Sequence, residues 1–226
     1  MQEIVYKNLN TSFGIKEEAK KLRARISFKD ENIKTVMFTS CIGSEGKIKI
    51  TFEITKSFAE LGKKSLLIGA DLRTPDIYNK YIDGNISIGL TDYLTGQCEL
   101  DDIIYKNVSG DGTAGKEFYY IPPGTISDNP SELFSSDVFR FMLIKLREIF
   151  DAIVIDTPPM EKVVDATVIA PLTDGVVEVI ESGKVNYKLA QDLNETLKAS
   201  DCRILGVILD KVDKSKKGYH HFKYSK

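Results

Sequence analysis

Six short apolar runs punctuate the chain: TVMFTS at 35–40, KSLLIGAD at 64–71, EFYYIPPG at 117–124, DAIVIDTPP at 151–159, GVVEVIES at 175–182 and RILGVILDKV at 203–212. They are mostly β-branched and lack strict alternation, the pattern of strands buried on both faces. Between them, apolar residues fall at helical spacing. Ile50, Ile54, Phe58 and Leu61 recur at threes and fours within 48–61. In 131–149, Leu133, Val138, Met142, Leu146 and Ile149 share one helical face, and in 185–199 Tyr187, Leu189, Leu193 and Leu197 do the same. Strands alternating with helices predict βαβ units, and right-handed crossovers make of them an α/β three-layer sandwich, a mainly parallel sheet with helices on both faces.

No repeat or linker divides the chain, which reads as one domain over 1–226. Residues 1–30 are expected to form a charged helical preface, 109–117 (SGDGTAGKE) a surface loop, and 214–226 a lysine-rich, Gly-broken tail. A net charge of −2 from 31 basic and 33 acidic side chains gives no electrostatic footprint for nucleic acid. Cys41, Cys98 and Cys202 have neither CxxC spacing nor an even pairing, which argues against a disulfide framework or a zinc site and for a reducing compartment. The first residues, MQEIVYKNLN, lack the basic-then-apolar order of an export leader, and no stretch reaches the ~18 apolar residues of a membrane span. The expectation is a chain neither exported nor integral to a membrane.

Chemistry concentrates at TSCIGSEGKIKI, 39–50, where Gly43, Gly46 and Lys47 follow a predicted strand and precede a predicted helix. A phosphate-binding loop needs that context, because backbone N–H groups of a glycine-rich turn and the helix N-terminus point at phosphate oxygens while the lysine bridges them. A plain glycine-containing turn with an exposed lysine would read the same on these residues alone. A second feature narrows the choice: FDAIVIDTPP ends an apolar strand on Asp156, the form of a Walker B strand that presents a carboxylate to Mg²⁺.

With LLIGADLRTP at 66–75, the ensemble resembles the bacterial tyrosine kinases (BY-kinases) of capsule and exopolysaccharide systems, relatives of the MinD/ParA-type P-loop ATPases. The resemblance extends through GLTDYLTG (89–96), LDDII (100–104), IPPGTISDNPSELFSS (121–136), DATVIAPLTDGVVEVI (165–180) and ILGVILDKVD (204–213), in the family's order. It implies a P-loop NTPase-like fold using ATP/ADP and Mg²⁺. The nucleotide would lie against Gly43, Ser44, Glu45, Gly46, Lys47, Ile48 and Lys49, with Asp210 at the base. Lys47 and Asp71 would be the catalytic groups, and Asp71 and Asp156 the metal carboxylates. Glu17, Lys20 and Arg23 match the family's helix for ring assembly, and Tyr219 and Tyr224 would be the phospho-acceptors of the tail. The implied partners are a transmembrane polysaccharide chain-length regulator and further copies of the chain, at the inner face of the membrane in the cytoplasm.

The chain departs from the family pattern at several positions, Gly43, Ser44, Lys49 and Lys20 among them, and three departures bear directly on the chemistry. Where its loop reads roughly PGEGKST, Ile48 replaces a Ser/Thr, and a branched hydrocarbon has no lone pair for a metal. Where an Asp-x-Asp ordinarily precedes Leu-Arg, this chain has Gly69-Ala70-Asp71, so the first carboxylate is missing. Asp210 stands where Asn is usual, and an ionised carboxylate only accepts hydrogen bonds. The first two substitutions fall on one corner of the site. They favour a pseudokinase-like subunit over an active tyrosine kinase. A ParA/MinD-like positioning ATPase fits less well, since Cys41, Ile42 and Gly43 offer no extra signature lysine.

Overall fold

All six apolar runs form strands in the computed structural model, which describes residues 2–7, 13–29, 32–43, 45–108, 117–161 and 164–212. Ser44, Tyr219, Tyr224 and most of the loop at 109–117 lie outside the described residues, as does the side chain of Glu45. The six strands are β2 (Thr35–Ser40), β3 (Ser65–Gly69), β6 (Tyr119–Ile121), β7 (Ala152–Asp156), β8 (Gly175–Glu181) and β9 (Ile204–Asp210). Three shorter strands were not predicted: β1 (Glu3–Tyr6), β4 (Ile82–Asp83) and β5 (Tyr105–Asn107). Too short to show a period, they extend the sheet at one side, giving the order β4-β1-β5-β6-β3-β7-β2-β8-β9. Pairing is parallel from β6 through β9 and between β1 and β5, and antiparallel at β1/β4 and β5/β6. The preface over 1–30 is therefore a strand followed by helix α1 (Phe13–Lys29), not helix alone.

Successive residues of a strand face opposite sides, and here they feed two cores. Met37, Leu66, Ile68, Ile153 and Ile155 pack with α3 (Leu90–Leu94), α4 (Pro130–Ser135), α5 (Asp137–Ile149), α6 (Asp165–Ile169) and α7 (Tyr187–Ala199). Val36, Phe38, Leu67, Ala152 and Val154 pack on the other side with α1 and α2 (Glu45–Ala59). The second core carries an aromatic chain. Tyr6 stacks on Phe52 at 4.8 Å between centroids, Phe52 reaches Tyr120 at 5.6 Å, and Tyr120 reaches Tyr78 at 6.3 Å.

The predicted helix at 131–149 is two helices. Ser136 has extended φ/ψ, donates through its hydroxyl to the Leu133 carbonyl and accepts from the Phe139 amide, ending one helix and capping the next. Met142 and Leu146 are buried as expected, but the turn of phase moves Val138 and Ile149 to the surface and buries Phe139 and Leu143 in their place. Leu61 and Tyr187, expected on buried faces, are also exposed, each lying at a helix end where contact with the sheet is lost.

Candidate nucleotide site

Because β7 lies between β3 and β2, its last residue, Asp156, pairs in register with Gly69 on one side and Phe38 on the other. The loop after β2 leads into α2, whose first turn carries Lys47. Both side chains are buried. Lys47 turns back onto the sheet, its Nζ 2.6 Å from Asp156 Oδ1 and 2.5 Å from the Thr157 carbonyl. The other oxygen, Oδ2, accepts a hydrogen bond of 2.6 Å from the Tyr78 hydroxyl. Burial pushes the Asp156 carboxyl up from its usual range, while Lys47 and Tyr78 pull it back. Burial first, and then the Asp156 charge, push the Tyr78 phenol well above its ordinary value, so it stands as a proton donor.

Asp71 follows β3 and is engaged locally. Its Oδ1 accepts from the Thr74 amide at 3.0 Å and the Arg73 amide at 3.3 Å, and its Oδ2 accepts from the Thr74 hydroxyl at 2.7 Å. These bonds close a turn that starts a 3₁₀ helix, Pro75–Lys80, and Tyr78 projects from it. Arg73 forks onto Asp165 at 3.1 and 3.3 Å, and Asp165 also accepts from the Ser131 hydroxyl.

Ile48 is not a surface substitution. It is 3% exposed and belongs to the core of α1 and α2. At Gly69, an added Cβ would lie 3.0 Å from Pro123 Cδ and 3.3 Å from the Tyr120 hydroxyl. That hydroxyl is buried with no hydrogen-bond partner among the described residues. Gly43, by contrast, is exposed, with open space around its α-carbon, and Gly46 and Lys49 are half-buried.

The other predicted residues lie apart from this cluster. Asp210 ends β9, two strands from β2; its Oδ1 accepts from the Lys211 amide at 2.8 Å, and its buried Oδ2 has no partner among the described residues. On α1, Lys20 pairs with Glu17 at 2.9 Å, whereas Arg23 turns inward to the Ser57 hydroxyl at 2.8 Å and to its carbonyl.

The chain is 33% identical over 213 residues to the tyrosine-protein kinase CpsD of Streptococcus agalactiae, a match covering 94% of this chain and 90% of that one. The chain belongs to the bacterial tyrosine kinase family of capsular and exopolysaccharide biosynthesis. No protein-family model matches it. Among solved structures it is similar to the chimerical protein CapA2B2, with a TM-score of 0.79, 26% identity and 93% of both chains covered. It is equally similar to the kinase domain of the Escherichia coli tyrosine kinase ETK, with a TM-score of 0.79, 27% identity, and 92% of this chain and 80% of that one covered. The mainly parallel P-loop NTPase fold is thereby shared with BY-kinase domains, a class that implies nucleotide and Mg²⁺. No helix among the described residues is long and apolar enough to cross a membrane.

Mg²⁺ demands octahedral oxygen ligands. Ile48 and Gly69 bring no side-chain oxygen, both oxygens of Asp156 are held by Lys47 and Tyr78, and those of Asp71 hold its own turn. Among the described residues no group of three or more His, Cys, Asp or Glu is placed to hold a metal. The residues present do not fit a divalent cation in this arrangement. Sequence patterns foretold two of these features, Ile48 and Gly69. They missed Tyr78 and Tyr120, whose only signals are an aromatic three residues past Pro75 and another beside the IPPG turn.

Proposed function

We propose that the protein is a BY-kinase-family subunit of capsular or exopolysaccharide assembly in which phosphoryl transfer is impaired and association carries the function. The observation behind this reading is the state of Asp156, fully buried with both oxygens engaged by Lys47 and Tyr78, beside an Ile48 that is core hydrocarbon. Phosphoryl transfer relies on positioned charge, and loss of one general base or its equivalent costs roughly 10²–10⁴-fold. Here the deficits fall together.

The loop keeps what a nucleotide's phosphates need: open backbone at Gly43, the N-terminus of a 15-residue helix, and Lys47, which must leave Asp156 to reach them. Ring contacts would use the exposed Glu17–Lys20 side of α1, with Arg23 bracing α1 to α2. The partner in this reading is a transmembrane chain-length regulator at the inner face of the membrane.

The test is mass spectrometry of the full chain after incubation with ATP, Mg²⁺ and the cytoplasmic segment of its regulator. Tyr219 and Tyr224 are expected to carry little or no phosphate. Robust phosphotyrosine there, abolished by Lys47→Ala, would overturn the reading.

A further inference from the structure

The family resemblance read in the sequence places the missing metal ligands at Ile48 and Gly69. The geometry points to a third element: we infer that Tyr78, backed by Tyr120, is the residue that keeps a divalent cation off this site, by holding the one Asp156 oxygen that phosphate cannot free. The inference deepens the proposed impairment of phosphoryl transfer and rests on it.

The two oxygens of Asp156 are held by groups of different kinds. Oδ1 is held by Lys47, a flexible cation that an incoming anion can draw away. Oδ2 is held by a phenol on a rigid mount. The Tyr78 ring is 2% exposed and lies at the end of the aromatic chain that runs through Tyr120 and Phe52 to Tyr6. Its backbone sits in the 3₁₀ helix whose leading turn is closed by Asp71. A carboxylate that the family resemblance assigns to metal therefore organises the segment that delivers the blocking hydroxyl. A metal ligated by Oδ2 at ~2.1 Å on the side that the phenol occupies would meet the phenolic proton. The Tyr120 hydroxyl faces the site of the missing Gly69 side chain.

Tyr78 is thus a specificity-determining residue, and supplying the missing loop hydroxyl should not by itself restore metal binding. The experiment compares the full-length wild type, Ile48→Thr, Tyr78→Phe and the double variant by electron paramagnetic resonance, with Mn²⁺ as the only added metal and no nucleotide present. Wild type and Ile48→Thr are expected to leave the free Mn²⁺ signal unchanged. The double variant is expected to bind at least about tenfold more tightly than Ile48→Thr, the scale on which groups around a metal site alter affinity. Mn²⁺ binding by the wild type overturns the inference, and so does equal behaviour of Ile48→Thr and the double variant, including no binding by either. If substitution at the buried Ile48 prevents folding, Tyr78→Phe against wild type carries the test: gained Mn²⁺ binding supports the inference and no gain overturns it. No phosphate can be transferred in this assay, so the outcome is separable from the presence or absence of phosphotyrosine.

Discussion

At Gly69 the lost carboxylate is a matter of space as well as identity. The nearest obstacles to a side chain there are the ring of Pro123 and the hydroxyl of Tyr120. Gly69→Asp is expected to destabilise the protein by about 1–3 kcal/mol, the usual cost of forcing volume into a packed interior. Urea unfolding measures it, and a variant as stable as the parent would show that Pro123 yields freely. The substitution also shows what was legible at this scale. Ile48 and Gly69 stand out in the sequence because a motif has fixed spacing. The bond from Tyr78 to Asp156 spans 78 residues and exists only because β3 and β7 are neighbours.

Elements are held in place by side chains that no periodicity announces. Asp174, just before β8, accepts from the Lys34 and Thr35 amides at 2.8 Å each and from Arg147 of α5 at 2.6 Å, tying the start of β2 to a helix and to the neighbouring strand. Burial by itself would raise this carboxyl, but the Arg147 hydrogen bond and the two amides outweigh it and hold it below the usual carboxylate value. A carboxyl lowered on folding contributes stability that is full above its unfolded value of about 4 and is lost as pH falls through its folded value. The urea midpoint is therefore expected to drop as pH falls below about 4, and Asp174→Asn should flatten that dependence. An unchanged slope in the variant would assign the acid sensitivity elsewhere. The same scale holds the misread helix at 131–149: its apolar positions fit a single period until Ser136, where side-chain hydrogen bonds reset the phase.

Across the whole molecule, the two-sided sheet was legible because buried parallel strands leave an unmistakable run of β-branched residues, whereas β1, β4 and β5 have at most four residues each and leave none. The segments that carried the family resemblance serve the scaffold. In GLTDYLTG, the Leu90 and Thr91 amides donate to the Pro122 and Pro123 carbonyls, and the Gly89 amide donates to Asp92. An added Cβ at Gly89 would lie 2.4 Å from the Pro122 oxygen and 2.5 Å from the Gly124 nitrogen, both backbone atoms. Gly89→Ala is accordingly expected to cost about 3 kcal/mol, at the upper end for overpacking, read as a lower denaturation midpoint. A near-neutral result would show that the two segments separate without penalty. This backbone lock is what fixes Pro123 against Gly69, so scaffold and site are joined at that proline.

That joint gives the site a direction in sequence space. With glycine at 69, Pro123 and the Tyr120 hydroxyl pack close enough to oppose a larger residue there. An aspartate at position 69 meets the proline, and a hydroxyl at 48 enters hydrocarbon. Taken singly, changes at 48 and 69 are each expected to be uphill, so only a concerted set that also moves Pro123 crosses the ridge, and the packing acts as a ratchet against enlarging position 69.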